Sequence, residues 1–80
     1  MNRYIATFHT HLSALLTSRT LQSRGIAARM APVPRSLSSS CGTCVRYEGD
    51  VPYLEDMDED VERVYEMEGE EPCRLLLENE

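Results

Sequence analysis

Two cysteines, Cys41 and Cys44, lie three positions apart in this 80-residue chain and follow a run of serines. Two thiols at this spacing can share a disulfide, bind a metal ion or carry a transferred sulfur atom. Arg35 and Arg46 flank the pair. Cationic neighbours of this kind lower the pKa of a thiol from its free value of about 8.5. The motif therefore indicates sulfur chemistry or metal binding, without defining the reaction.

The elements that would position these cysteines follow from the hydrophobic patterns on either side of them. β-Branched and aromatic residues predict four strands, over residues 3–9, 26–31, 43–48 and 61–67. A helix over residues 11–24, capped by Thr10 and stopped by Gly25, would follow the first strand. Pro52 would open a second helix that runs to about residue 59. The resulting order, β-α-β-β-α-β, predicts an α+β fold: a small ferredoxin-like two-layer sandwich with both helices on one face of the sheet.

The length of the chain predicts one small domain. We expect residues 1–69 to form this single α+β domain and residues 70–80 to form an acidic C-terminal tail, whose conformation the sequence leaves open. A chain of this size buries only about 60% of its unfolded surface, so its core is modest and oligomerisation is compatible with it.

The first predicted helix has two apolar stripes. One is a small-residue stripe of Ala14, Leu15, Ser18 and Leu21, and the other consists of Leu12, Leu15 and Leu16. If the small-residue stripe faces the sheet, Leu12 and Leu16 are partly exposed and available for a homodimer or partner contact. The simpler expectation is one wide buried face that includes both leucines.

The predicted topology brings His9, Arg35 and Cys41 to one edge of the sheet, beside the start of the first helix. The helix N-terminus, the guanidinium and the imidazole would favour a thiolate or persulfide anion at Cys41. Cys44 could then resolve that species by attack, which would form a disulfide and release the terminal sulfur or selenium. We therefore predict Cys41, Cys44, Arg35 and His9 as the catalytic residues, with no cofactor.

The rival chemistry is zinc binding by two cysteines and two histidines, namely Cys41, Cys44, His9 and His11. A His-x-His pair at a strand-to-helix turn points its rings in different directions, and one CxxC without a second cysteine pair is a weak zinc signal. We therefore predict no metal ligands. The alternative to a carrier is a non-catalytic interaction module, with zinc at the CxxC motif or with inert cysteines.

The charges of the chain are divided along its length. Residues 1–47 carry six arginines and no carboxylate, whereas residues 48–80 carry all fourteen acids and two arginines. The arginines are scattered without aromatic residues between them, which argues against a nucleic-acid partner. We expect the acidic half to neutralise the basic half within the molecule.

The same composition bears on localisation. An arginine- and serine-rich, acid-free segment is typical of a mitochondrial transit peptide, but the strand over residues 3–9 and the cysteines inside that segment argue against one. No apolar run approaches the roughly 20 residues that cross a bilayer, so we expect no membrane partner. Three cysteines are an odd number, which favours a reducing compartment and hence the cytoplasm.

Four segments resemble the small bacterial selenium/sulfur carrier-like family: residues 4–9, 14–26, 32–35 and 39–42. The resemblance covers roughly residues 3–67, and its most specific part runs from Pro-Val-Pro-Arg to Cys-Gly. It implies that Cys41 carries sulfur or selenium, with a cysteine desulfurase or a sulfurtransferase-like protein as partner. Whether the protein is an enzyme stays open, and the tail with Cys73 lies outside the family pattern.

Overall fold

The computed structural model describes residues 1–79. In chain order they form β1 (Asn2–Phe8), α1 (His11–Ser23), β2 (Ala28–Pro32), β3 (Thr43–Gly49), a 3-10 helix (Leu54–Asp56), β4 (Val61–Glu68) and β5 (Glu71–Glu78). The five strands form one sheet in the order β2-β3-β1-β4-β5, and every pair of neighbouring strands is antiparallel. Because α1 packs on one face of this sheet, the predicted α+β class is confirmed.

The central strand β1 is buried on both faces. Residues 4–8 are all buried. Tyr4, Ala6 and Phe8 point to the helix side, where they pack in the main core with Val45 and Tyr47 of β3. On the other face, Ile5 packs with Cys44 and Met67, and the loop after β2 covers this smaller cluster with Val33 and Leu37. The alternation that the sequence predicts for β3, with Val45 and Tyr47 on one face and Cys44 on the other, is confirmed.

A single residue determines where α1 begins, and another determines where it ends. The Thr10 side chain accepts a hydrogen bond from the Ser13 backbone N–H at 3.1 Å and caps the first turn. At the other end Gly25 adopts a left-handed φ of +80°, and the backbone N–H of Ile26 donates to the Leu21 carbonyl at 3.0 Å. This is the hydrogen-bond pattern of a glycine-terminated helix. The predicted helix boundaries are correct to within one residue.

The small-residue stripe of α1 faces the sheet. Ala14 and Leu21 are completely buried, whereas Leu12 is 61% exposed and Leu16 is 44% exposed. The expectation of one wide buried face is therefore wrong. Ser13, Thr17 and Ser18 share the buried stripe, and their small side chains let the helix lie close to the strands.

Asp58 joins α1 to the segment before β4. Its Oδ2 accepts a hydrogen bond from the Ser13 hydroxyl at 2.7 Å, and its backbone N–H donates to Thr17 Oγ1 at 3.0 Å. The predicted second helix to residue 59 is therefore wrong. The chain becomes extended at Met57 after only one 3-10 turn, and the backbone N–H of Asp58 binds the side chain of another element.

The acidic C-terminal segment forms a strand. Residues 71–78 pair with β4 along the edge of the sheet, and Leu76 and Leu77 pack against the main core. Pro72 lies near the start of this edge strand, where proline is tolerated. With one helix and five strands, the ferredoxin-like order is not confirmed. No helix within residues 1–79 has the length and apolar character needed to cross a membrane.

Candidate functional site

Cys41 lies near the end of the loop that joins β2 to β3. The loop is closed at its base by a hydrogen bond from the Val33 backbone N–H to the Gly42 carbonyl at 3.1 Å. Gly42 adopts a left-handed φ of +74°, a conformation that glycine adopts without strain, and so turns the chain into β3. The Cys41 side chain is half-buried against the main core, and its Sγ–H donates to the Thr43 carbonyl at 3.5 Å. A free thiol is thus held at the edge of the core rather than on a mobile tip.

Glu62, near the start of β4, anchors this loop next to Cys41. Its Oε1 accepts a hydrogen bond from the Ser40 backbone N–H at 3.4 Å, and its Oε2 accepts one from the Ser40 hydroxyl at 3.0 Å. The Glu62 side chain is only 13% exposed. Two donors on one residue fix the position of the neighbouring Cys41 more firmly than one donor would.

His9 lies close to the same two residues, Ser40 and Glu62. Its Nδ1 is 3.5 Å from Ser40 Oγ and 3.7 Å from Glu62 Oε2, and its Nε2 is 3.3 Å from the Asn79 carbonyl. Because Ser40 donates its hydroxyl proton to Glu62, His9 Nδ1 is placed to donate to Ser40 Oγ. Both ring nitrogens then face acceptors.

Two further hydrogen bonds connect the loop region to β1 and α1. The Ser39 hydroxyl donates to the Phe8 carbonyl at 3.0 Å and also lies 4.0 Å from Cys41 Sγ. His11, in the first turn of α1, places Nδ1 3.3 Å from Thr43 Oγ1. The surroundings of Cys41 are therefore built from the end of β1, the start of α1, the β2–β3 loop and the start of β4.

Cys44 has a different environment. Its side chain is completely buried in the smaller cluster, on the face of the sheet away from α1, and its Sγ–H donates to the Pro32 carbonyl at 3.6 Å. Burial raises the pKa of the Cys44 thiol, and the positive charges of Arg46 and Arg29 only partly oppose this effect. Both cysteines are free thiols. The structure therefore places Cys41 and Cys44 in separate packing clusters.

Arg35 is not drawn into this arrangement. It is exposed in the β2–β3 loop, next to a turn in which the Leu37 backbone N–H donates to the Pro34 carbonyl at 3.0 Å. Within residues 1–79 its guanidinium makes no hydrogen bond or ion pair. Its predicted effect on Cys41 stays a prediction that rests on proximity along the chain.

The zinc alternative finds no support in this geometry. Within the part of the chain that the structure describes, no group of three or more His, Cys, Asp or Glu side chains is arranged to hold a metal ion. The physical reason is that Cys44 is directed into the far face of the sheet, while His9 and His11 bind different partners.

Comparison with known proteins places this chain in a family. The family model described as "Putative Se/S carrier protein-like" matches residues 3–67. The chain belongs to this family. The match in the Se/S carrier protein-like family includes His9, Arg35, both cysteines of the motif and Glu62, and it ends before β5. The resemblance that the sequence indicates is therefore confirmed.

A relative of this Se/S carrier-like chain is found in Escherichia coli (strain K12). It bears the name "Uncharacterized protein YtiA" and is 31% identical over 45 residues, which are 56% of this chain and 53% of the relative. The chain thus spans about half the length of that protein. No solved structure matches the chain significantly.

Sequence reasoning misses Glu62, Ser39 and Ser40 as parts of the site of this Se/S carrier-like protein. Glu62 belongs to a long run of acids in which no single carboxylate stands out. Only its place in the register irregularity, where β4 runs beside the end of β1, distinguishes it. The available signal is its place directly after the buried Val61, near the start of a predicted strand. The serines precede Cys41 in sequence, but their partners Phe8 and Glu62 are distant along the chain.

Proposed function

We propose that this protein carries sulfur or selenium on Cys41, as a persulfide or selenosulfide, in sulfur or selenium metabolism. Membership of the Se/S carrier protein-like family supports the class of cargo. The observation that carries the assignment to Cys41 is its placement: a free, half-buried thiol in a loop closed at its base and anchored through Ser40 to Glu62.

Loading is an exchange between sulfur atoms. The Cys41 thiolate attacks the terminal sulfur of a donor protein's persulfide, the donor's S–S bond breaks, and a new S–S bond forms on Cys41. The donor cysteine leaves as a thiolate, so the step needs no added oxidant or reductant. A cysteine desulfurase fits the donor role and a sulfurtransferase-like protein fits the acceptor role. The chemistry needs a compartment in which free thiols persist, such as the cytoplasm.

The neighbours of Cys41 have separate tasks in this proposal. His9 contributes positive charge when protonated, and Arg35 acts from the same loop on the sulfur anion. The resolving role of Cys44 requires the β2–β3 edge to open first, because its sulfur is buried and faces the Pro32 carbonyl. Discharge to a thiol of the acceptor protein avoids this opening.

A second candidate function is a non-catalytic interaction module. The observation that favours it is the pair of exposed leucines on α1, Leu12 at 61% and Leu16 at 44%. These side chains could contact a partner or a second copy of the chain, with the cysteines inert. The two functions differ in what happens to Cys41 when a persulfide donor is present.

The test is the intact mass of the reduced protein before and after incubation with a persulfide donor. A carrier gains one sulfur atom, and Cys41→Ser abolishes that gain. Cys73→Ser is the matched control, since Cys73 is an exposed thiol outside the site, and it should load like the wild type. Equal loading of wild type and Cys41→Ser would refute the assignment, and the absence of any adduct would favour the interaction module.

A further inference from the structure

Three arginines converge on the face of the sheet that α1 does not cover. Arg29 of β2 and Arg46 of β3 are direct cross-strand partners, and Arg46 is in turn paired with Ile5, two positions after Arg3 on β1. Because side chains two positions apart on a strand share a face, all three guanidiniums lie on the same side. They border a groove of about 480 Å³, which also touches Glu48, Met67 and Glu70. We call this the arginine groove.

The charges in the arginine groove are not balanced by the fold. Arg3 Nε lies 3.5 Å from Glu48 Oε1, and Arg46 Nη1 lies 3.7 Å from Glu70 Oε1. Both distances exceed the roughly 2.7–2.9 Å of a strong charge-assisted hydrogen bond. The two carboxylates are 47% and 79% exposed, so each pair contributes little. Within residues 1–79, Arg29 has no acidic partner.

The pairing of Arg29 with Arg46 carries a cost. Like charges directly opposite each other on neighbouring strands destabilise a sheet. Elsewhere in the chain arginines find close carboxylates: Arg63 Nε is 3.0 Å from Glu78 Oε2, and Arg74 Nη2 is 2.8 Å from Glu66 Oε1. The groove therefore holds excess positive charge on a protein whose net charge is −6.

We infer that the arginine groove binds a small multivalent oxyanion of the phosphate type. Guanidinium groups present planar pairs of N–H donors that match phosphate oxygens, and Arg29 and Arg46 face each other across the strand pair at the place where such an anion would lie. The volume lies within the range of small-molecule sites. Met67 supplies an apolar wall beside the charged groups.

The rim of the arginine groove restricts the ligand to a small one. Gly69 and Glu70, in the turn between β4 and β5, border the groove, and Glu68 and Glu71 are the strand residues on either side of that turn. These carboxylates would repel the continuous backbone of a nucleic acid, but they leave room for a compact anion. Glu70 already lies near Arg46, so an incoming anion competes with the Glu70 carboxylate for this guanidinium.

Inorganic pyrophosphate at constant ionic strength is a suitable probe, with backbone amide NMR shifts as the readout. We expect saturable shifts at the groove residues of β1, β2 and β3. Arg29→Gln should weaken binding about tenfold or more, because a hydrogen bond to a charged group is lost. Glu70→Gln should tighten binding several-fold, because the competing carboxylate is removed.

Arg19→Gln is the matched control, since Arg19 is an exposed arginine on α1 without an acidic partner in residues 1–79. It should bind pyrophosphate like the wild type. Circular dichroism verifies that Arg29→Gln folds, which its exposed position on β2 favours. Equal weakening by Arg19→Gln and Arg29→Gln, or shifts that rise linearly without saturation, would overturn the inference. The inference does not rest on sulfur carriage, so Cys41→Ser should bind pyrophosphate normally.

Discussion

Cys41 and Cys44 are neighbours in sequence, but the sheet gives them opposite surroundings. Cys41 precedes β3 in a loop held by polar contacts, and its side chain is half-buried at the edge of the main core. Cys44 lies within β3 on the other face, where it is completely buried with Ile5 and Met67. A CxxC spacing alone therefore does not define a redox pair. The strand that begins between two such cysteines leaves one thiol partly exposed and buries the other.

The largest expected difference between the two thiols is in alkylation. In the native protein, iodoacetamide should modify Cys41 and Cys73 and leave Cys44 unmodified, because Cys44 reacts only when its part of the sheet opens. We expect a rate about a hundredfold or more below that of Cys73. Peptide mapping by mass spectrometry measures the rates, and unfolding in urea should make the three rates similar. Labelling of Cys44 as fast as Cys73 in the native protein would contradict the burial of Cys44.

Substitution by alanine should lower the free energy of unfolding more at Cys44 than at Cys41. Cys44→Ala removes a fully buried sulfur and should lower the free energy of unfolding by about 1–2 kcal/mol. Cys41→Ala should cost less than about 1 kcal/mol, since its side chain is only half-buried. Urea unfolding followed by circular dichroism measures both values. A larger loss for Cys41→Ala than for Cys44→Ala would mean that the assignment of roles is reversed.

Glu62 holds the loop beside Cys41 through Ser40, and its substitution tests that role. Glu62→Ala removes two hydrogen bonds from Ser40 and should cost about 1 kcal/mol of stability, and it should change the alkylation rate of Cys41 several-fold. Glu66→Ala is the control on the same strand, because its contact with Arg74 lies at the exposed edge. The control should cost less than about 0.5 kcal/mol and leave Cys41 unchanged. Identical Cys41 rates in Glu62→Ala and wild type would exclude a positioning role for Glu62.

The effect of Cys44 on the pH dependence of stability is absent at neutral pH and appears only in alkaline solution. Burial raises the pKa of Cys44 above the ordinary thiol value of about 8.5, so both the folded and the unfolded chain keep the proton for the most part up to about pH 8. Above that pH the unfolded chain ionises first, which stabilises it, and the free energy of unfolding falls until the pH passes the folded pKa. The slope for one proton is at most about 1.4 kcal/mol per pH unit.

Cys44→Ala provides the comparison for that measurement. Between pH 8 and 10 the stability of the wild type should fall relative to this variant, in urea titrations at each pH. Tyr47 is also buried with a raised pKa, and it adds a further decline above its ordinary value of 10.0 in both proteins. Parallel curves for the two proteins would contradict the burial argument for Cys44.

The sequence predicts those parts of the fold whose signals are local. Thr10 and Gly25 mark the ends of α1 because a cap and a left-handed turn depend on single residues. The alternation within β3 likewise determines which side chains point to the core. By contrast, the sequence does not predict β5. Acidic residues surround Leu76 and Leu77, and the strand forms only when these leucines pack beside β4. Local propensity contains no information on such pairing.

The sequence likewise predicts some residues of the candidate site and misses others. Cys41 and His9 are predicted from their residue types and from the expected topology, and the structure brings His9 to Ser40, the neighbour of Cys41. Glu62 is missed because its role depends on the pairing of β4 with β1. The predicted proximity of Cys44 to the chemistry rests on spacing alone, and β3 turns that side chain to the other face.

The most direct test of the account is to locate the transferred sulfur in the wild-type protein. After loading with a persulfide donor, free thiols are blocked and each cysteine-containing peptide is analysed by mass spectrometry. The account predicts the added sulfur on Cys41, with Cys44 recovered as an unmodified thiol. Sulfur on Cys44, or a Cys41–Cys44 disulfide as the main product, would contradict it.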